Sequence, residues 1–88
     1  MLVDVTGVEV TGRHRLHLRF ADGTEGNVDV SKLVEFRGVF APLKQEEEFS
    51  EVRVDSELGT IAWPCGADLD PDVLYAQVKG EEIDVAVR

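Results

Sequence analysis

Between Trp63 and Tyr75 the chain compresses a strand end, a tight turn and a helix start into one segment, Trp-Pro-Cys-Gly-Ala-Asp-Leu-Asp-Pro-Asp-Val-Leu-Tyr. Pro64 has no amide donor and stops a β ladder after Trp63. Gly66 suits a turn, and Asp68 is expected to accept hydrogen bonds from turn amides. Asp70 is a good helix N-cap, Pro71 fits the first helical position, and Asp72 adds negative charge near the positive end of the helix dipole. Val73, Leu74 and Val78 follow at helical spacing with Gln77 beside them, and Gly80 is the expected stop. Residues 81–88 then alternate weakly, as an edge strand or a frayed tail.

The rest of the chain supplies a sheet for this helix. Val3, Val5, Val8 and Val10 alternate with polar residues, and the alternation slips at Gly7, which predicts a strand with a bulge or break there. His14, Leu16, Leu18 and Phe20 share one face of the next strand, and Arg13, Arg15, His17 and Arg19 share the other. Ala21-Asp22-Gly23 is a three-residue hairpin loop, with Gly23 supplying the left-handed conformation. Pairing Phe20 with Thr24 then sets Arg19 opposite Glu25, Leu18 opposite Gly26, Leu16 opposite Val28 and Arg15 opposite Asp29. Apolar meets apolar or small, and cation meets anion.

Further on, Ser31 is expected to cap a short helix through Phe36 that Gly38 ends. Val39, Phe40 and Leu43 enter the core around Pro42, and Glu46-Glu47-Glu48 with Phe49 forms a solvated helical turn held by one aromatic. A second hairpin follows, with Val52 and Val54 on one strand, a turn from Ser56 to Gly59, and Ile61 and Trp63 inward on the return. The predicted architecture is α+β: two antiparallel hairpins forming a sheet, with two or three short helices packed on it. It is one domain over residues 1–88, with its core between residues 2 and 79.

Charge narrows the partners. The net charge is -9, and its excess lies entirely in the second half: Met1 to Lys44 holds six Lys/Arg and six Asp/Glu, Gln45 to Arg88 three and twelve. Such a chain repels phosphate backbones and attracts basic proteins, although acidity also serves solubility alone. No apolar run is long enough for a bilayer, and the start at Met1-Leu2-Val3-Asp4 lacks the order of a secretory signal, so a cytoplasmic protein is expected. The one cysteine, Cys65, excludes an intramolecular disulfide and a zinc site made of cysteines alone.

Most of these elements resemble one family. Phe20-Ala21-Asp22-Gly23, Val28-Asp29-Val30, Gly38-Val39-Phe40 with Leu43 and Phe49, and Val52-Arg53-Val54-Asp55 carry the likeness. So does Thr60-Ile61-Ala62-Trp63-Pro64 with Gly66, Asp68-Leu69, Pro71 and Leu74-Tyr75. From Val5 to Tyr75 the chain resembles the small bacterial proteins grouped as domain of unknown function 2442. The resemblance implies an α+β fold like the N-terminal domain of a longer member that continues into a helix-turn-helix. It also implies an antitoxin-like place beside a second small protein, and it carries no catalytic residues. Members usually have Asn where this chain has Cys65.

Three chemistries are conceivable on these residues. Asp68, Asp70 and Asp72 have the opening spacing of a calcium loop, but Val73 stands where glycine is needed and Lys79 where a bidentate Glu is needed. A helix N-terminus favours a thiolate at Cys65, whereas the three aspartates around it oppose one. His14 and His17 point to opposite strand faces and cannot share a metal. The residues read as a fold signature are therefore Trp63, Pro64, Gly66, Asp68, Pro71 and Tyr75, and the one interaction stripe is Arg13, Arg15, His17 and Arg19. The expected function is a non-enzymatic domain without cofactor that binds a protein partner or itself. The alternative is a nucleic-acid-associated regulator, and a small enzyme built on Cys65 is a third reading.

Overall fold

The computed structural model describes residues 3–87, with side chains described as far as Gly80. Three strands, β1 (Val5–Gly12), β2 (Arg15–Phe20) and β3 (Glu25–Asp29), form an antiparallel sheet in chain order. A 3-10 turn at Val30–Lys32 and a longer 3-10 segment at Gly38–Lys44 lead to a one-turn helix, α1 (Glu46–Phe49). β4 (Arg53–Asp55) and β5 (Thr60–Ala62) form a separate two-stranded sheet, and helix α2 (Pro71–Val87) closes the chain. The architecture is α+β, as expected, but the two hairpins do not merge into one sheet. The Val5 amide donates to the Gly59 carbonyl at 2.9 Å, and a register shift between Val5 and Gly7 follows at once. A bulge of this kind raises the local twist and ends pairing on that side.

The β2–β3 register is the one the side chains dictate, from Arg15 opposite Asp29 to Arg19 opposite Glu25. The Phe20 amide donates to Thr24 at 2.8 Å, and Gly23 takes φ 90° in the loop. Inward from this hairpin, Leu16, Leu18, Phe20 and Val28 are buried with Val5 and Val30. α2 crosses this face at Gly26, where an added Cβ would sit 2.7 Å from Val78 Cγ1, so glycine is what lets the helix approach. Leu74 and Val78 bury themselves here, whereas Val73 remains 48% exposed because it points away from the sheet. Phe20 packs edge-on against Tyr75, with ring centroids 5.1 Å apart.

The Trp63–Tyr75 segment folds as a strand end, turn and helix start. The Trp63 amide donates to Ala67 at 2.9 Å across the turn, Gly66 takes φ 98°, and the Trp63 indole donates to the Phe49 carbonyl at 2.8 Å. Asp70 Oδ1 accepts from the Asp72 amide at 2.8 Å, and Pro71 opens the helix. Asp68 makes a backbone bridge to Ala62 and its side chain is exposed, so the expected capture of turn amides does not occur.

Several local expectations need correction. The cap of the first 3-10 turn is Asp29, whose carboxylate accepts from the Ser31 amide at 3.0 Å, and the turn ends at Lys32 instead of extending to Phe36. An aspartate at the end of a strand reaches the amide two residues on better than the serine reaches further along. Val39 is half exposed, and Phe40 and Leu43 alone enter the core from that segment. Gly80 does not take a left-handed conformation, so α2 passes through it to Val87 and replaces the strand or tail expected over 81–88. Arg88 itself lies outside the described residues. Among the described residues no helix is long and apolar enough to cross a membrane.

Candidate functional site

The outer face of the three-stranded sheet carries the predicted stripe. Arg15, His17 and Arg19 alternate along β2, and Arg13 lies in the turn before it. Their stems lean over glycines of β1: the Cβ atoms of Arg19 and Arg15 lie 3.5 and 3.8 Å from where a Cβ on Gly7 and Gly12 would be. The neighbours change the character of this face. Glu9 is paired with His17 on one side, and Glu25, Asn27 and Asp29 line β3 on the other.

Neither arginine pairs as the register suggests. His17 Nε2 donates to Glu25 Oε1 at 2.8 Å, and its Nδ1 lies 3.2 Å from Asn27 Oδ1, so the histidine is half-buried in a polar cluster. It takes the carboxylate expected to face Arg19, because the diagonal neighbour on a twisted antiparallel pair lies within reach of a long side chain. Asp29 turns to Ser31, whose hydroxyl, and then its amide, hold the carboxyl below the ordinary aspartate range, with Lys32 and Arg15 adding to the effect. Two strand arginines thus share the face with three carboxylates. The face is mixed in charge, and a shallow hollow of about 220 Å³ opens on it beside Gly7, Glu9 and Arg19.

Most of the remaining candidate side chains make contacts within the fold. His14 is buried in the β1–β2 turn with φ 59°, where simple alternation would continue the strand straight. Its Nε2 donates to the Leu43 carbonyl at 2.7 Å, and its ring packs against Phe36 at 4.4 Å and edge-on against Phe49 at 5.0 Å. The strained backbone is held by that bond and that packing. Cys65 is half-buried and its thiol points to the Val39 carbonyl at 3.6 Å. No group of three metal-ligating side chains occurs among the described residues, and Asp70 is engaged as a helix cap. Tyr75 donates to Asp22 at 2.6 Å and lowers the pKa of that carboxyl, helped by the Thr24 amide, so Tyr75 fastens α2 to the hairpin loop.

One feature was not expected from the sequence. At the far end of β1 an open cavity of about 520 Å³ lies between Val10, the β1–β2 turn and α1. Phe49 and His14 form part of its wall, and Glu46 and Glu47 line it. The alternation along β1 does place Val10 on the core side, but the two walls lie more than thirty residues apart and nothing in the sequence juxtaposes them.

Residues 5–80 match the family described as Protein of unknown function (DUF2442). The chain belongs to this family. No curated protein and no solved structure matches it significantly. The DUF2442 match spans both hairpins and the start of α2.

Proposed function

We propose that this DUF2442 chain is a bacterial, cytoplasmic protein-binding domain without catalysis of its own, acting as the acidic, antitoxin-like half of a two-protein pair. The observation that carries the reading is the edge of β1. From Gly7 to Val10 it pairs with β2 on one side, and on the other no described backbone group bonds to it. An edge of this kind is a template for another chain. Beside it stand the carboxylates of α1, the start of the acidic half, and a net charge of -9 that favours a basic partner over self-association.

The nucleic-acid alternative loses ground on the same geometry, because Glu9, Glu25 and Asp29 flank Arg15 and Arg19. Reconstitution tests the proposal. The tagged full chain is isolated from its host at low ionic strength, the co-purifying protein is identified, and the two purified proteins are mixed. A stoichiometric complex by light scattering that weakens as salt rises is expected. If no candidate protein re-forms a complex from purified components, the protein-binding reading falls.

A further inference from the structure

We propose that the groove between β1 and α1 receives an extended segment of a partner protein, in which an apolar side chain is flanked by Lys or Arg. This rests on the protein-binding reading above and specifies its site. Val10 is the starting point. It pairs with Leu16, which is fully buried, and so faces the core side of the sheet, yet it is 40% exposed. The chain leaves this inward apolar position uncovered, because α1 stands back from it across the 520 Å³ cavity.

Two properties of the groove define its occupant. The strand run that leads into it, Gly7 to Val10, keeps regular register between two slips and reaches the groove at Val10, so an added strand has four residues of undistorted ladder to pair with. Its walls combine Val10 and the edges of Phe49 and His14 with the exposed carboxylates of Glu46 and Glu47, and neither carboxylate is in an ion pair among the described residues. Arg13 is the one cation of the lining and is outnumbered. A strand that carries an apolar residue flanked by basic ones seats the apolar side chain against Val10 and offers its outward charges to Glu9 on the other face of the sheet, while Glu46 and Glu47 make the field around the groove acidic. A second copy of this chain, with its net charge of -9, does not. The edge of β3 is the competing site and lacks the apolar element: Gly26 lies under Val78, Val28 is buried, and the outward residues are Glu25, Asn27 and Asp29.

The test uses the full chain and three fluorescein-labelled, end-capped peptides. One alternates Lys or Arg with Val or Leu, one replaces the cations by Glu, and one replaces the apolar residues by Ser. Oligothymidylate serves as the nucleic-acid probe. The basic, apolar peptide is expected to bind in a salt-sensitive manner and to weaken by about tenfold in Glu46→Lys/Glu47→Lys and again in Val10→Lys. Both variants alter exposed side chains, and an unchanged amide spectrum confirms that they fold.

Failure of the basic, apolar peptide to bind, equal binding of the acidic peptide, equal affinity in both variants, or preference for oligothymidylate each overturns the assignment. The reconstituted partner separates the two levels. A partner that binds both variants as tightly as the parent chain refutes the groove and leaves protein binding standing, whereas absence of any complex refutes the underlying reading.

Discussion

The two flanks of the three-stranded sheet are built from the same alternating pattern and end differently. Over β3, Gly26 removes its side chain so that Val78 can seat, Leu74 is fully buried, and Tyr75 fastens α2 to Asp22. Over the far end of β1, Val10 faces inward without a lid, and α1 stands across an open cavity. One flank is covered by a long helix, which seats Leu74 and Val78, and across the other stands only a single turn of four. A binary pattern decides which side of a strand is apolar. Whether that side is covered depends on the length and position of the element that returns to it.

This contrast orders the expected effects of substitution. Leu74→Ala opens a cavity under the closed flank and is expected to cost about 2–5 kcal/mol in urea unfolding. A loss below about 1 kcal/mol would mean that α2 contributes little to that flank. Gly26→Ala pushes a methyl into Val78 and is expected to cost about 1–3 kcal/mol, with part of the loss recovered in Gly26→Ala/Val78→Ala. Additive losses in the double variant would show that the helix is not seated at this contact. On the open flank, Val10→Ser is expected to change stability by no more than about 0.5 kcal/mol, since Val10 covers little of the core. A larger loss would place Val10 in the fold's own packing.

The smallest effect concerns pH. Asp22 has its pKa lowered chiefly by the Tyr75 hydroxyl, so its contribution is present above the unfolded aspartate value and is lost as pH falls through the lower folded value. Tyr75→Phe removes the main cause. Its stability deficit against the parent chain is expected to be visible near neutral pH and to shrink on acidification below the ordinary aspartate range. A deficit that stays constant down the acid limb would assign the loss to the hydroxyl's contact with Thr24 instead.

The sequence made the β2–β3 hairpin legible down to its register because both faces agree on one alignment: Leu16 with Val28 inside, Arg15 with Asp29 outside. The helix start at Asp70-Pro71 was equally legible, since a cap and a proline act locally. Side-chain partners were less so. Glu25 stands where the register puts it, yet bonds to His17 on the diagonal. His14 looked like a continuation of β2 and lies in a left-handed turn, because its imidazole is held by Leu43 and two phenylalanines from elsewhere in the chain. Gly80 looked like a stop, but a glycine ends a helix by turning left-handed, and this one does not. The groove at Val10 was invisible for the same reason as the His14 turn: each depends on where the Gly38–Phe49 stretch comes to rest.

Amide hydrogen exchange, read residue by residue in the free chain and with the basic, apolar peptide, tests the open-edge claim most directly. In the free chain the amides of Gly7 to Val10 are expected to exchange faster than those of Leu16 to Phe20 in the central strand. Adding the peptide should slow exchange along β1 and leave Glu25 to Asp29 unchanged. Protection that appears along β3 or on neither strand, or a β1 already as slow as β2 in the free chain, contradicts an open edge at β1.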